Sequence, residues 1–377
     1  MRLLRGGKEY FSVLHQLIDN AKQILHLQVY IFDEDETGKA VAEHLIAAAK
    51  RGVQVFVIVD GYASRALSPA FIIQLKEAGI HVQWYNRILS FKSFYFGRRL
   101  HHKVVVADAR HALVGGINIS NRYNDLPGAP AWLDWALYST GEVCEELHQL
   151  CNFRWSKAGK KITNQLRPPQ FSISEPLLDK CFVRMRRNDW VRRKVQITRS
   201  YLEMFARAEH EIIIMSSYFL PGRSFRKAIS KASQRGVKLK VIVTGESDVN
   251  FSKAAERYWY NWLLRCQTEI YEYQRGNLHA KLSTYDGEWV TVGSYNVNDL
   301  SAYASIELNL DVKNQVFAAG VRKQLLEIID RDCIQVNIEA LQRKQKWFVQ
   351  LGQFFSYEIL RLTLFLFTFY FRQRLMG

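Results

Sequence analysis

Apolar positions in this chain recur with two periods, and the period changes at short polar breaks. Phe11, Leu14, Leu17 and Ile18 lie three or four residues apart or adjacent, which predicts a helix over 9–20. An apolar run predicts a strand over 24–32. A second helix is predicted over 39–51, ended by Gly52, and a strand over 53–60 interrupted by Gln54. A helix over 69–78 and strands over 81–85, 103–107 and 111–115 follow. The order then returns, with helices over 200–209, 223–235 and 252–265 and strands over 211–217, 237–243, 268–273, 280–284 and 289–293. Strands that read as continuous apolar runs between helices belong to a buried, largely parallel sheet. Short turns at Asp108-Ala-Arg and Asp286-Gly-Glu add antiparallel pairs.

The recurrence extends to the residues themselves. AAAKRGVQVFVIVDG ends at Gly61 and SKASQRGVKLKVIVTG ends at Gly245, with Gly52 and Gly236 184 residues apart. The expected architecture is α/β: two mixed-sheet domains, helices on both faces, related by a pseudo-twofold. We place the first domain at 1–165, a polar, proline-bearing linker at 166–182, the second domain at 183–335 and a tail at 336–377.

One repeated segment carries chemistry. It reads His101-x-Lys103-x4-Asp108-x6-Gly115-Gly116-x-Asn118 in the first half. In the second it reads His279-x-Lys281-x4-Asp286-x6-Gly293-Ser294-x-Asn296, offset by 178 residues throughout. Strand alternation puts each histidine and its lysine on one side, and His102 on the other, as a packing or surface residue. Two histidines can divide a displacement at phosphorus. One attacks, while the other protonates the leaving alkoxide and then activates the acceptor. Two lysines and two asparagines would supply fixed donors for the phosphoryl oxygens, with no metal or other cofactor needed. We take His101, Lys103, Asp108, His279, Lys281 and Asp286 as the catalytic motifs. Within them, the position of each aspartate at a strand end points to holding the turn or a neighbouring positive charge rather than to attack. An active site is expected where the two halves meet. A single His-x-Lys in a basic protein usually marks a solvated edge; two matching copies, inside a longer repeat, favour function.

Charge narrows the partners. Lys and Arg total 52 against 36 acidic residues, a net charge of +16, which attracts nucleic acid, anionic lipid or a phosphate-bearing substrate. Hydrophobic residues at 48% exclude a disordered chain. Cys144, Cys151, Cys181, Cys266 and Cys333 form no CxxC pair, which points to reduced thiols rather than a disulfide framework. The start, MRLLRGGKEYF, lacks the apolar core of a secretory signal.

Two segments suit a membrane surface. Residues 87–100, RILSFKSFYFGRRL, interleave Phe91, Phe94, Tyr95 and Phe96 with basic residues; the same pattern would suit stacked single-stranded nucleic acid or a packed lid. Residues 347–371 end in a dense apolar tract that includes Leu364, Phe365 and Phe367. About 20 apolar residues are needed to span a bilayer, and this tract is shorter, so we expect it in the interface; a helix packed on the domain is the plainer reading.

The paired motifs are those of the phospholipase D superfamily, which this sequence resembles from residue 5 to about 345. More narrowly it is similar to bacterial cardiolipin synthases lacking two N-terminal membrane spans, through residues 30–64, the GGINIS segment with WLDWAL, YFLPGRSFRKAI and LSAYASIELNL. The resemblance implies a phosphohistidine intermediate, with His101 as nucleophile and His279 as general acid and then base; the opposite assignment stays open at this point. It implies that Asp134 and Glu307 orient the histidines. It implies that Asn118, Ser294 and Asn296 bind the substrate phosphate, Gly116 standing where many relatives carry a hydroxyl. The function implied is phosphatidyl transfer from phosphatidylglycerol to a second phospholipid head group, releasing glycerol. The alternatives are hydrolysis to phosphatidic acid and an endonuclease on the same fold. The partners implied are anionic phospholipids and the bilayer surface, with no obligatory nucleic acid. The place implied is the cell membrane, peripheral or monotopic, with the catalytic domains on the cytoplasmic side.

Overall fold

The computed structural model describes residues 1–86, 98–157, 181–246, 250–298, 305–337, 349–359 and 361–362. The chain divides into two compact units, Met1–Met185 and Arg186–Gly377. The expected linker lies outside the described residues apart from Cys181 and Phe182.

In the first unit the sheet runs Arg2–Arg5, Trp135–Thr140, His111–Gly115, Val104–Ala107, Ile24–Val29, Gln54–Asp60, His81–Tyr85 from edge to edge. The last three are parallel, and the first five pair antiparallel. The expected elements 24–32, 53–60 and 103–107 are present with trimmed ends, and 81–85 and 111–115 as expected. Both faces of the central strands are covered. Leu25, Leu27, Val55 and Val57 pack with Leu14, Leu17 and Val41 of the helices Lys8–Asn20 and Glu36–Lys50. Ile24, Phe56 and Ile58 pack with Trp155 of the helix Glu142–Lys157. Each such fully buried aliphatic side chain stabilises the unit by about 1.5–3 kcal/mol. The Glu36–Lys50 helix begins where Asp35 accepts from the Gly38 amide at 3.0 Å, an N-cap that fixes the chain leaving the strand Ile24–Val29.

In the second unit the sheet runs Lys194–Val195, Phe182–Asp189, Ser305–Lys313, Trp289–Gly293, Lys281–Tyr285, Glu211–Ser216, Lys238–Thr244, Glu269–Tyr273, Cys333–Gln335. Its parallel and antiparallel pairings around Glu211–Ser216 repeat those around Ile24–Val29. The helix expected over 252–265 is two helices, Asn250–Tyr258 and Tyr260–Arg265. Within each unit, the strand that follows the motif lysine lies beside the first parallel strand. The motif histidine is therefore held at the end of the sheet where that parallel strand finishes.

Candidate active site

The two motifs are built alike. In the first unit His101 and Lys103 immediately precede the strand Val104–Ala107. Lys103 is buried, and its Nζ donates to the His101 carbonyl at 3.0 Å. In the second, Lys281 is buried and donates to the His279 carbonyl, and its Nζ lies 3.1 Å from His279 Nδ1. The residue just beyond the first parallel strand completes each lysine's surroundings. Tyr30 presents its ring 5.2 Å from Lys103 Nζ and meets the His101 ring edge-on, with centroids 4.8 Å apart. Ser217 does the same service with a hydroxyl, accepting from Lys281 at 2.9 Å. An aromatic face in one unit and an oxygen in the other thus hold the two ammonium groups. Each motif histidine thus has a buried ammonium group beside it, a charge suited to meeting an anionic group.

The motif aspartates sit at the far end of the same strands. Asp108 accepts from the backbone amides of Lys22, Gln23 and Ile24 at 2.8–2.9 Å. Asp286 accepts from those of Glu209, His210 and Glu211 at 2.7–3.0 Å. Both have positive φ, 53° and 49°, in tight hairpin turns closed by Arg110 N to Ala107 O and Glu288 N to Tyr285 O, each at 3.0 Å. A four-residue strand separates Asp108 from Lys103, and its carboxylate is engaged by the backbone leading into a neighbouring strand. Each aspartate thereby bridges its hairpin turn to the start of the neighbouring strand.

Asp134 and Glu307 occupy equivalent places, since Gly116 N donates to Trp135 O and Ser294 N to Leu308 O, both at 3.0 Å. Both carboxylates are buried. Asp134 accepts from the Trp135 amide at 2.8 Å, and Glu307 accepts from Ser294 Oγ at 2.5 Å. A Cβ on Gly116 would overlap both carboxylate oxygens of Asp134. The glycine that stands in place of a hydroxyl residue is thus what leaves room for the acid. Asp134 also raises the buried Tyr10 phenol above its ordinary pKa, after burial itself.

Ser294 engages the acid of its own unit. Its single hydroxyl hydrogen goes to Glu307, and its oxygen also accepts from the Leu308 amide at 3.0 Å. In this structure it holds an acid. Asn118 is fixed by the scaffold, accepting from Ile31 N at 3.0 Å and donating to Tyr123 Oη at 2.9 Å, which leaves one amide hydrogen uncommitted by these bonds. Asn296 is buried with an unpartnered Oδ1, so its amide is the less constrained of the pair. His102 is buried with Nδ1 3.4 Å from Gln28 Oε1, on the packing side that alternation assigns to it. Phe91, Phe94, Tyr95, Phe96, Leu364, Phe365 and Phe367 lie outside the described residues.

Residues 14–127 and 201–329 match the family model "Cardiolipin synthase, PLD-like domain", one copy in each half. The chain belongs to this family. Among its relatives, the cardiolipin synthase B of Escherichia coli (strain K12) is 33% identical over 359 residues, covering 92% of this chain and 84% of that one. The cardiolipin synthase B of Salmonella typhi is 35% identical with the same coverage. The crystal structure of phosphatidylserine synthase from Haemophilus influenzae Rd KW20 shares the fold, with a TM-score of 0.72, 15% identity and coverage of 96% and 93%. The family's two PLD-like copies in this chain coincide with the two His-Lys clusters. Sequence reasoning missed Tyr30 and Ser217, which lie far from the motifs in sequence. Only the repeat alignment of the two parallel strands could have found them.

Proposed function

We propose that this enzyme is a cardiolipin synthase-like phosphatidyltransferase, moving a phosphatidyl group from phosphatidylglycerol to a second phospholipid head group. The observation that carries this is the doubled cluster of histidine and buried lysine, in a chain alike over most of its length to cardiolipin synthases B. His101 attacks the donor phosphorus and forms a P–N bond. The P–O bond to glycerol breaks, and the glycerol oxygen takes a proton from His279. The acceptor head group then gives its hydroxyl proton to His279, and its oxygen displaces His101 nitrogen. Lys103, Lys281 and Asn296, with the remaining hydrogen of Asn118, bind the phosphoryl oxygens. Asp134 and Glu307 orient the two histidines.

The enzyme works at a membrane surface. No described helix is long and apolar enough to cross one. The helix 349–359 leaves Leu351, Phe354, Phe355, Ile359 and, just beyond, Leu362 exposed by 38–57%. Tyr357 ties it down by stacking on Tyr258 with centroids 5.2 Å apart. We place this face, and the apolar sequence that continues to Phe371, in the bilayer interface, with anionic lipids drawn by the basic charge. Five cysteines that form no disulfide support a cytoplasmic side for the catalytic units.

The test supplies labelled phosphatidylglycerol in mixed micelles and identifies products by mass. Cardiolipin and free glycerol support the reading. Phosphatidic acid alone, with lipid acceptor abundant, would make the protein a hydrolase, and motif-dependent strand cleavage without lipid turnover would make it a nuclease.

A further inference from the structure

We infer that Asp60 is a positioning residue for His101, an inference that rests on the nucleophilic role proposed above. Asp60 ends the strand Gln54–Asp60 and is fully buried. Its Oδ1 accepts from the amides of Tyr62 and Ala63 at 3.0 and 3.2 Å and from Arg99 Nη1 at 3.4 Å. Its Oδ2 accepts from the Leu100 amide at 3.0 Å, one residue before His101. The carboxylate thus joins the end of a central strand to the backbone that leads into the motif.

Arg99 extends the clamp. The same Nη1 donates to the Asn86 carbonyl at 2.9 Å, and Asn86 Nδ2 donates to the Arg98 carbonyl at 2.9 Å. The guanidinium also lies 5.6 Å from the Tyr62 ring centroid. Asp60 therefore fixes Leu100 directly and Asn86 through Arg99. A buried carboxylate so placed transmits the rigidity of the sheet to a histidine that must be held to a fraction of an ångström.

The fold itself does not require an acid here. In the second unit Thr244 holds the corresponding place, since Gly61 N donates to Tyr85 O at 2.7 Å and Gly245 N to Tyr273 O at 2.9 Å. There the strand end is held by a cation: Lys253 Nζ donates to the Thr244 carbonyl at 2.5 Å and pairs with Glu256 at 2.9 Å. Glu256 in turn accepts from the Phe219 amide at 2.9 Å, just beyond Ser217. The two motifs are thus held by unlike devices, and Asp60 serves the first alone.

Asp60→Asn is the discriminating change. An amide that keeps its oxygen toward Tyr62, Ala63 and Arg99 presents an NH2 group to the Leu100 amide, donor against donor. On the full chain with labelled phosphatidylglycerol in mixed micelles, kcat should fall roughly 30-fold or more, with KM within about threefold of wild type. Labelling of His101, followed with an acid-free denaturing quench, should slow in proportion, while the melting temperature stays above the assay temperature. Hydrogen exchange at residues 98–102 should quicken. Wild-type kcat in folded Asp60→Asn overturns the inference. If that variant does not fold, Arg99→Gln decides: kcat should fall about fivefold at unchanged KM, and an unchanged kcat overturns the inference. If the wild type itself neither labels nor turns over lipid, the phosphatidyl-transfer reading fails. Hydrogen exchange then judges the clamp separately: quickened exchange at 98–102 upholds it, and unchanged exchange overturns it.

Discussion

Replacing Asp286 separates a catalytic acid from a structural one. Its Oδ1 accepts from the amides of His210 and Glu211 and its Oδ2 from that of Glu209, at φ 49°. Alanine would remove all three bonds. The half-buried Glu211 amide should account for about 1.5 kcal/mol and each of the two exposed amides, which water can reach, for about 0.5. A Cβ residue without a polar group in the left-handed region adds about 1 kcal/mol. Asp286→Ala should therefore destabilise its unit by about 3–4 kcal/mol, which in a unit of this size lowers the melting temperature by roughly 8–14 °C. Asparagine tolerates this φ and can keep the two bonds to Oδ1, so Asp286→Asn should cost about 1–2 kcal/mol. Melting followed by circular dichroism, with turnover measured well below the lower melting point, is the assay. Folded Asp286→Asn should retain kcat within about fivefold. A loss of about a thousandfold at an unchanged melting temperature would refute the structural assignment and return the aspartate to the chemistry.

Gly116→Ser should force the Asp134 carboxylate aside, costing about 1–3 kcal/mol by overpacking and lowering kcat; a variant of wild-type stability and kcat would refute the contact. His102→Ala should lower the melting temperature through a buried cavity yet leave kcat within about threefold, as measured on the folded fraction. His26 gives a pH signature. Burial first, then the charge of nearby His148, pushes its pKa down to about 3 from 6.5. Between those values the unfolded chain binds a proton that the folded chain refuses. Stability present above pH 6.5 should therefore fall by about 1.4 kcal/mol per unit of acidification from this residue. His26→Phe should flatten the decline of melting temperature between pH 6.5 and about 4.5, and an unchanged slope would exclude the residue as its source.

The repeat was legible because its strands are apolar on both sides and its breaks are Arg-Gly steps at strand entry. What hid was polar but buried. Ser305–Lys313 alternates apolar residues with Glu307, Asn309 and Asp311, and of these the family resemblance points only to Glu307. Each of those polar residues is buried: Glu307 on Ser294, Asn309 on Thr291 at 3.1 Å, and Asp311 on Ser200 and Arg186 at 2.5 and 3.1 Å. Burial of Asp311 raises its pKa, with those partners opposing the rise. The motif histidines and lysines were legible from duplication alone. The resemblance implies Ser294 as a phosphate ligand; its bond to Glu307, across the neighbouring strand, is visible only in the fold. Asp60 and Tyr30 end strands that look purely structural in sequence. Their partners, Leu100 and Lys103, are 40 and 73 positions away, a pairing that no local pattern encodes.

The most direct test of the two-histidine account uses His279→Ala with phosphatidylglycerol labelled at phosphorus, followed by acid-free quench and peptide mapping. With the leaving-group acid gone but the nucleophile intact, the account predicts slow, sub-stoichiometric label on His101, no label on any other residue, and no label at all in a His101→Ala companion. Label on a different residue of the His279→Ala protein, or lipid product formed by His101→Ala at the wild-type rate, would contradict it.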